Sequence, residues 1–385
     1  MPTTVCRWAF RSSASRSTRP PSWKWDGWPR RGRGIALAAA QTRVLVLYTG
    51  GTIGMAPCDP GDPASPLVPA GRDHLLRFAP NPPAGIAWDV AELTDGNGDP
   101  VGPLDSSDIG PRHWCLMARA IAQAYDSHDG FVILHGTDTM AYTGSALSFL
   151  LDNLAKPVVL TGSQRPISAK DGDAAANFGN ALAIAGHRAT GLPLVPEVVI
   201  CFGDVLLRAN RATKVSTTAA RGFDSPNYPR LGRLGGRIDI DRSLVLSPPE
   251  RAFSAHAILS GTVAVVSLYP GVTGADLGRM LDLDGVDGYV LRSFGSGNAP
   301  TDRGVIAAIA GATAAGKVIV NITQCLEGGV EMGLYQAGHG LLEAGVVDGG
   351  RLTVEAALAK LTWLLATGSA ESARSRMPIP LRGEM

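Results

Sequence analysis

Two threonine-bearing glycine turns carry the chemistry that can be read first: YTGGTIGM (residues 48–55) and LHGTDTMAYT (residues 134–143). Each follows a short apolar run, 44–47 in one case and 131–134 in the other, that reads as a buried parallel strand. Strand, glycines, hydroxyl and helix start is how an open α/β sheet presents reactive groups at its carboxyl edge. A threonine hydroxyl is a weak nucleophile by itself, so two such turns point to two hydroxyls serving one pocket. Glycines also sit where a turn needs φ > 0 or close backbone approach, a reading that suits either motif alone better than both together. Four polar clusters follow strands of the expected first domain: Thr49 with Thr52, Asp105-Ser106-Ser107, Thr137-Asp138, and Arg211-Ala212-Thr213-Lys214. Two threonines, a carboxylate and a lysine make a nucleophilic set, in which the amine takes or relays a hydroxyl proton. Backbone N–H groups of the glycine turns can face a tetrahedral oxyanion. The plainer alternatives are Asp138 as a helix cap, Lys214 as a solvated charge, and Asp105-Ser106-Ser107 as a second cap ahead of Pro111.

Other site signatures fail on spacing. The glycines of TGGTIG fall at 50, 51 and 54, which is not G-x-G-x-x-G; there is no G-x-x-x-x-G-K-[ST], and Gly162-Ser163 is not a G-x-S-x-G elbow. The seven histidines have no metal-ligand grouping, and His135, at a strand end, reads as a packed structural residue. Five scattered cysteines with no C-x-x-C pair argue against a zinc site and fit a reducing compartment. No metal or cofactor is expected.

The elements that must position these groups are legible from the punctuation. Strands are expected at 43–47, 88–93, 131–135, 157–160 and 198–202, with helices at 111–125, 140–151 and near 174–187. Residues 55–71, rich in Pro, Gly and Asp, read as a long mobile loop. This βαβα alternation predicts an α/β fold with a mostly parallel sheet covered by helices. A smaller C-terminal α/β domain follows, with strands at 263–268, 288–291 and 317–320 and helices at 302–314 and 354–365. Length alone favours two domains. The expected division is 1–42 as a basic extension, 43–235 as the N-terminal domain, 236–260 as a linker and 261–385 as the C-terminal domain.

A hydrophobic fraction of 45% with 18% charged residues is the balance of a globular protein, and a formal net charge of +1 makes no case for nucleic acid or an anionic membrane. No apolar run approaches the roughly 18–20 residues that span a bilayer. The first 42 residues differ: eight Lys or Arg stand against one acid, Asp26, with four of the seven tryptophans. Arg30-Arg31 hints at an export signal and the Arg/Ser content at a transit peptide, but neither pattern is complete. The segment reads as a disordered extension, of the kind a start codon assigned too far upstream adds.

Taken together, YTGGTIGM and HGTDTMAYT resemble the bacterial L-asparaginase family, in its cytoplasmic type I branch. LDSSD (104–108), LTGSQRP (160–166), NRATK (210–214), SPN (225–227), YPG (269–271), LRSFGSGNAP (291–300), NITQC (321–325) and LRGE (381–384) fit as well. The likeness runs from about residue 43 to 384. It implies cofactor-free hydrolysis of L-asparagine to L-aspartate and ammonia, with little action on glutamine, by a cytoplasmic homo-oligomer (dimer or tetramer). By motif, Thr52 attacks the amide carbon to form an acyl-enzyme, and Thr137, Asp138 and Lys214 form the second hydrogen-bonded group. Asp105, Ser106 and Ser107 hold the amino-acid end of the substrate, Asp138 pairs with its α-ammonium, and Ser163 lines the pocket. Asn298 reaches in across a subunit interface. Arg292, Thr213 and Cys325 belong to motifs of type I enzymes that respond to their own substrate at a separate site; a buried, inert Cys325 is the plainer alternative.

One departure stands out. The family places a tyrosine in the loop after the first threonine, where it helps activate that nucleophile. Residues 53–70 contain none, and Ser65, Pro66 and Leu67 occupy the corresponding place. Thr52 is then activated by another route, Tyr335 or Tyr289 of a neighbouring subunit substitutes, or catalysis is weakened. Two readings compete with a working enzyme: a non-catalytic asparagine-binding or sensing protein of the same fold, and an amidase acting on an amide carried by tRNA.

Overall fold

The computed structural model describes residues 41–59, 61–62, 65–333 and 336–385. Most of the expected extension and Tyr335 therefore lie outside the described residues, whereas Thr42, assigned to that extension, already begins the first strand. A strand buried on both faces needs apolar residues at successive positions, and TRVLVLY supplies them in β1 (Thr42–Tyr48). Leu45 and Leu47 turn to one core, Val44, Val46 and Tyr48 to the other. The same logic builds β2 (Ile86–Glu92), β3 (Gly130–Leu134), β4 (Val158–Thr161) and β5 (Val198–Phe202). These five lie parallel in the order β2-β1-β3-β4-β5. Three antiparallel strands extend the far edge: β6 (Val205–Arg208), β7 (Gly232–Arg233) and β8 (Asp239–Ile240). The order reverses at β1, so the crevice beyond the carboxyl ends of β1 and β3 is the topological switch point, where open α/β sheets bind ligands. Both threonine motifs emerge there.

Helices α1 (Pro111–Ala124) and α2 (Met140–Leu150) cover the Leu45/Leu47 face, and α3 (Ala174–Ala185) covers the other. The crossover through α3 thus lies on the opposite face from the two before it, although the chain still advances in the same direction across the sheet. Its hand is therefore reversed, an uncommon arrangement. The second sheet is parallel throughout: β9 (Val263–Ser267), β10 (Gly288–Ser293), β11 (Val318–Thr323) and β12 (Val347–Asp348). One face packs on α4 (Gly274–Leu281) and α5 (Arg303–Ala314). The other packs on α6 (Val354–Thr367), which also lies against α2, with Phe149 stacked on Trp363 at 5.8 Å between ring centroids. A single core therefore runs from the first sheet through α2 and α6 into the second. Among the described residues no helix is long and apolar enough to cross a membrane.

Two expectations need correction, and one helix had none. Residues 55–71 are not featureless: Met55–Pro57 and Leu67–Pro69 pair as an antiparallel hairpin. Its base is pinned by the Tyr48 hydroxyl, which donates to the Ala70 carbonyl at 2.7 Å. The segment 236–260 does more than link, since β8 joins the first sheet and Ser254–Ala255 pairs with Leu151–Asp152. Strands of two residues carry too little periodicity to be read from sequence. Helix α4, capped by the Thr273 hydroxyl on the Asp276 N–H, gave no sequence expectation at all because its eight residues include two glycines.

Candidate active site

β1 and β3 are hydrogen-bonded neighbours in register, Tyr48 opposite Leu134, so the chain leaves both strands at the same level. Thr49 then donates both its N–H and its hydroxyl to the Leu134 carbonyl, at 3.1 and 2.9 Å. At Gly51 the backbone turns to φ +82°, and a Cβ there would lie 2.3 Å from the Gly136 nitrogen. Gly136 in turn has no room for a Cβ, which would meet the Ser106 Oγ at 2.5 Å. The two motifs therefore touch through bare backbone, and Thr52 and Thr137 each follow the glycine that makes the contact.

The 104–108 segment closes the third side. Leu104 bridges Gly50 as a parallel pair, taking the Gly51 N–H on its carbonyl at 3.0 Å and giving its own N–H to Thr49 at 2.8 Å. Ser106, buried, accepts the Asp138 N–H on Oγ at 3.2 Å, and the Thr139 hydroxyl donates to the Ser106 carbonyl at 2.6 Å. Asp105 is exposed and does cap a short turn, accepting the Ser107 N–H and hydroxyl at 2.9 and 2.8 Å. The capping alternative fails for the helix at Pro111, whose N-cap is Gly110; Asp105 caps only the 3-10 turn 106–108 and stays on the rim. Capping also fails for Asp138, whose helix α2 is entered through Thr139 with no side-chain cap.

The fourth side is a two-residue strand, Thr213–Lys214, paired with Phe223–Asp224. Lys214 is no solvated charge: its side chain is 18% exposed, and Nζ reaches the Thr137 Oγ1 at 2.8 Å and the Asp138 Oδ1 at 2.5 Å. Lys214, Thr137, Asp138 and Ser106 are thus joined by hydrogen bonds, Asp105 and Ser107 lie on either side of Ser106, and Thr52 leaves from the Gly51 backbone that touches Gly136. Ser163 follows β4 nearby, but its hydroxyl is spent on the Arg165 carbonyl. The expected oxyanion donors are also partly committed, because the Gly51 and Gly54 N–H groups already bond to Leu104 and Gly51. Asn298 sits elsewhere, in the turn after β10 of the second sheet, closed by its own backbone on Phe294. Tyr289 cannot stand in for the missing loop tyrosine: it is fully buried in the second sheet's core, its hydroxyl accepting the Leu283 N–H.

Three contributors escaped the sequence reading. The first is Tyr48, whose hydroxyl carries the hairpin and whose ring leaves no space for a Cβ at Gly54. Burial, with Glu92 nearby, pushes its phenol well above the usual range, so it is no proton acceptor here. The second is a buried chain behind His135. A carbonyl can only accept, so His135 Nδ1 carries the proton it shares with Gly136 at 2.7 Å. Nε2 then accepts the Thr143 hydroxyl at 2.9 Å, and the Thr143 oxygen accepts the Trp114 indole N–H at 3.0 Å. The ring is held neutral in one tautomer. The third is Glu355, buried on α6, which accepts the Thr213 hydroxyl at 2.7 Å. Burial raises its carboxyl, opposed by the Thr213 bond and by the charge of Arg292. Thr213 is thus bonded to a carboxyl that Arg292 influences only through its charge, while Cys325 is exposed rather than a buried hydrophobe.

Similar proteins share this arrangement of sequence. Residues 43–246 match the family domain described as Asparaginase, N-terminal, and residues 262–377 match the Glutaminase/Asparaginase C-terminal domain. The L-asparaginase 1 of Escherichia coli K12 is 40% identical over 347 residues, covering 89% of this chain and 97% of that protein. The thermostable L-asparaginase of Thermococcus kodakarensis superposes with a TM-score of 0.78 at 32% identity, covering 89% of this chain and 99% of that one. L-asparaginase I of Vibrio cholerae superposes with a TM-score of 0.77 at 38% identity, covering 90% and 99%.

Two outcomes follow from the geometry. Gly51→Ala forces a Cβ into the Gly136 backbone and should lower kcat by about 10²-fold or more, the cost of misplacing reacting groups by about an ångström; steady-state kinetics of the folded variant check it. His135 is lowered from 6.5 to about 4 by burial, against the opposing Gly136 bond. The unfolded chain therefore binds the extra proton between those values, and stability rises with pH across that window. The contribution, about 3 kcal/mol at most, is complete above about pH 6.5 and lost as pH falls toward 4. Urea midpoints measured from pH 7 to 4 should fall accordingly, and less steeply in His135→Gln.

Proposed function

The chain belongs to the asparaginase family, and from that premise we propose that it converts L-asparagine and water to L-aspartate and ammonia through a threonine acyl-enzyme. The observation that carries the residue assignment is the backbone contact of Gly51 on Gly136, with Lys214 bonded to Thr137 and Asp138 beside it. In this reading Thr52 attacks the amide carbon, the C–N bond breaks to release ammonia, and water then cleaves the ester. Thr137, Asp138 and Lys214 form the second catalytic group, Lys214 holding the Thr137 oxygen and the Asp138 carboxylate in one orientation. Asp138 and Asp105 offer carboxylates to the substrate's α-ammonium, with Ser106, Ser107 and Ser163 around it. A charged ligand end taken out of water requires such partners.

The Asp138 side chain is 64% exposed in the single chain. An open rim beside a charged substrate supports a homo-oligomer, dimer or tetramer, in which a second subunit covers the pocket and brings Asn298 to it. Cytoplasmic localisation rests on the likeness to L-asparaginase 1 of Escherichia coli. Thr213, bonded to Glu355, and Arg292, whose charge acts on that carboxyl, form with Cys325 a separate regulatory site for the substrate. Relatives that are themselves L-asparaginases favour turnover over a binding-only sensor.

One set of rate measurements tests these points together. Purified protein should release ammonia from asparagine and far less from glutamine, with activity confined to the oligomeric fraction. Thr52→Ala and Thr137→Ala should each lower kcat by about 10³-fold or more while the fold persists. The rate curve over asparagine should be sigmoidal and become hyperbolic in Thr213→Ala. Asparagine binding without ammonia release sinks the catalytic reading; an active monomer or a hyperbolic wild-type curve removes the corresponding part.

A further inference from the structure

The last residues of the chain fold back beneath the segment that delivers Lys214. Residues 381–384 form a closed turn in which the Glu384 carboxylate accepts the Leu381 N–H at 3.0 Å and the Arg382 N–H at 2.6 Å. Gly383 stands at φ +73°, where a Cβ would come within 2.6 Å of the Arg208 guanidinium. The outward carbonyls of this turn are taken by the 3-10 turn Ala209–Arg211 and its neighbour. Asn210 Nδ2 donates to the Arg382 carbonyl at 3.0 Å. Arg211 Nε and Arg208 Nη1 donate to the Gly383 carbonyl at 2.8 and 3.3 Å. The turn itself is moored twice. Glu384 pairs with Lys360 of α6 at 2.6 Å, both side chains wholly buried, and Arg382 pairs with Asp152 at 2.6 Å.

Lys214 needs such support. Its own strand is two residues long, and a side chain with four rotatable bonds reaches Thr137 and Asp138 together only if its backbone is fixed. The backbone immediately before it is a crowd of like charge: Arg208 and Arg211 both lie over the Tyr228 ring, at 4.5 and 5.0 Å from its centroid. Arg208 has Glu197 at 2.5 Å, whereas Arg211 has the Gly383 carbonyl and the charge of Glu384. Without Glu384, Lys360 and Arg211 lose their compensating charge, and a buried charge left so displaces whatever holds it.

We infer that the C-terminal turn 381–384 is the positioning element of Lys214: by gripping Asn210 and Arg211 it sets the backbone from which Lys214 reaches Thr137 and Asp138. The inference rests on the role of Lys214 proposed above. A purely structural clamp would cost stability but leave turnover per folded molecule intact, and that difference is what the test reads.

The measurement compares kcat and KM for asparagine in the full-length protein, Glu384→Gln, a chain ending at Pro380, and Lys214→Met, each normalised to the folded fraction from circular dichroism. Glu384→Gln should lower kcat about tenfold with KM changed less than about twofold, and the shortened chain should lose more. Gly383→Ala, which presses on Arg208 without altering any charge, should follow Glu384→Gln and decides the matter if the shortened chain does not fold. Wild-type kcat in the folded tail variants beside an inactive Lys214→Met overturns this inference alone. Full turnover in Lys214→Met overturns the assignment of the lysine, and this inference with it.

Discussion

Everything at the crevice depends on two glycines letting two strands' exits touch. Adjacent parallel strands lie about 4.8 Å apart, and two side-chain-bearing turns at their ends would push away from each other. Gly51 and Gly136 remove that obstacle: neither has space for a Cβ, and the backbones meet directly. Gly136 also abuts Ser106, so the third segment joins at the same point. Three stretches far apart in sequence are thus assembled by what is missing from two positions. The positive φ at Gly51 further turns the chain so that Thr52 begins a short 3-10 turn rather than continuing the strand.

The walls around that contact are held by buried charge. Glu355 and Lys360 stand on α6 among apolar residues, each almost wholly buried. Burial alone would raise the Glu384 carboxyl; the Lys360 charge and hydrogen bond, together with backbone N–H bonds such as that of Arg382, leave it lowered instead. Such pairs add little net stability compared with apolar residues of the same volume, but losing one partner is severe. Their effect is to make α6 a coupling element. The helix packs on α2, which begins just after Asp138. It also binds Thr213 beside Lys214 and anchors the chain's last turn. The C-terminal domain thereby braces a candidate site whose proposed reactive groups all come from the N-terminal one.

How much of this was legible depends on range. Strands β1 and β3 announced themselves as apolar runs ending in glycine turns, because burial on both faces writes itself into consecutive residues. That both turns open at the carboxyl edge of the sheet followed from the alternation of elements, whereas the reversal of strand order at β1 did not. By contrast, VEAALAKLTWLL was readable as a core helix from its spacing, yet nothing in that spacing shows that Glu355 meets Thr213 or Lys360 meets Glu384. Partners 142 residues apart, as Glu355 and Thr213 are, leave no local trace. The hairpin over residues 55–69 was hidden for another reason: its strands are three residues long, and its anchor is the Tyr48 hydroxyl. Ser163 was legible as a residue near the pocket, but not as one whose hydroxyl is turned to Arg165.

The hairpin also bears on the absent loop tyrosine. Its base is set by Tyr48 on Ala70, and by the Ile167 N–H, which donates to the Ile53 carbonyl at 3.0 Å. Both contacts act on backbone and lie below the tip, so the hairpin can be placed over Thr52 without any aromatic side chain of its own. What the loop then lacks is a phenol, not a position. The floor is complete within the chain: Ser106 and Thr137 are buried and Lys214 is mostly so, each braced by hydrogen bonds to its neighbours. The rim is the opposite, with Asp105, Ser107 and Asp138 exposed. A floor fixed in advance limits the reorganisation needed when charge develops, whereas a solvated rim leaves carboxylates whose attraction for a ligand ammonium is weakened by water. On the proposed assignment, the groups that react are preorganised and the groups that recognise substrate wait for something to exclude solvent. That cover must come from the hairpin, from the substrate itself or from another subunit, since the core-facing side is already filled.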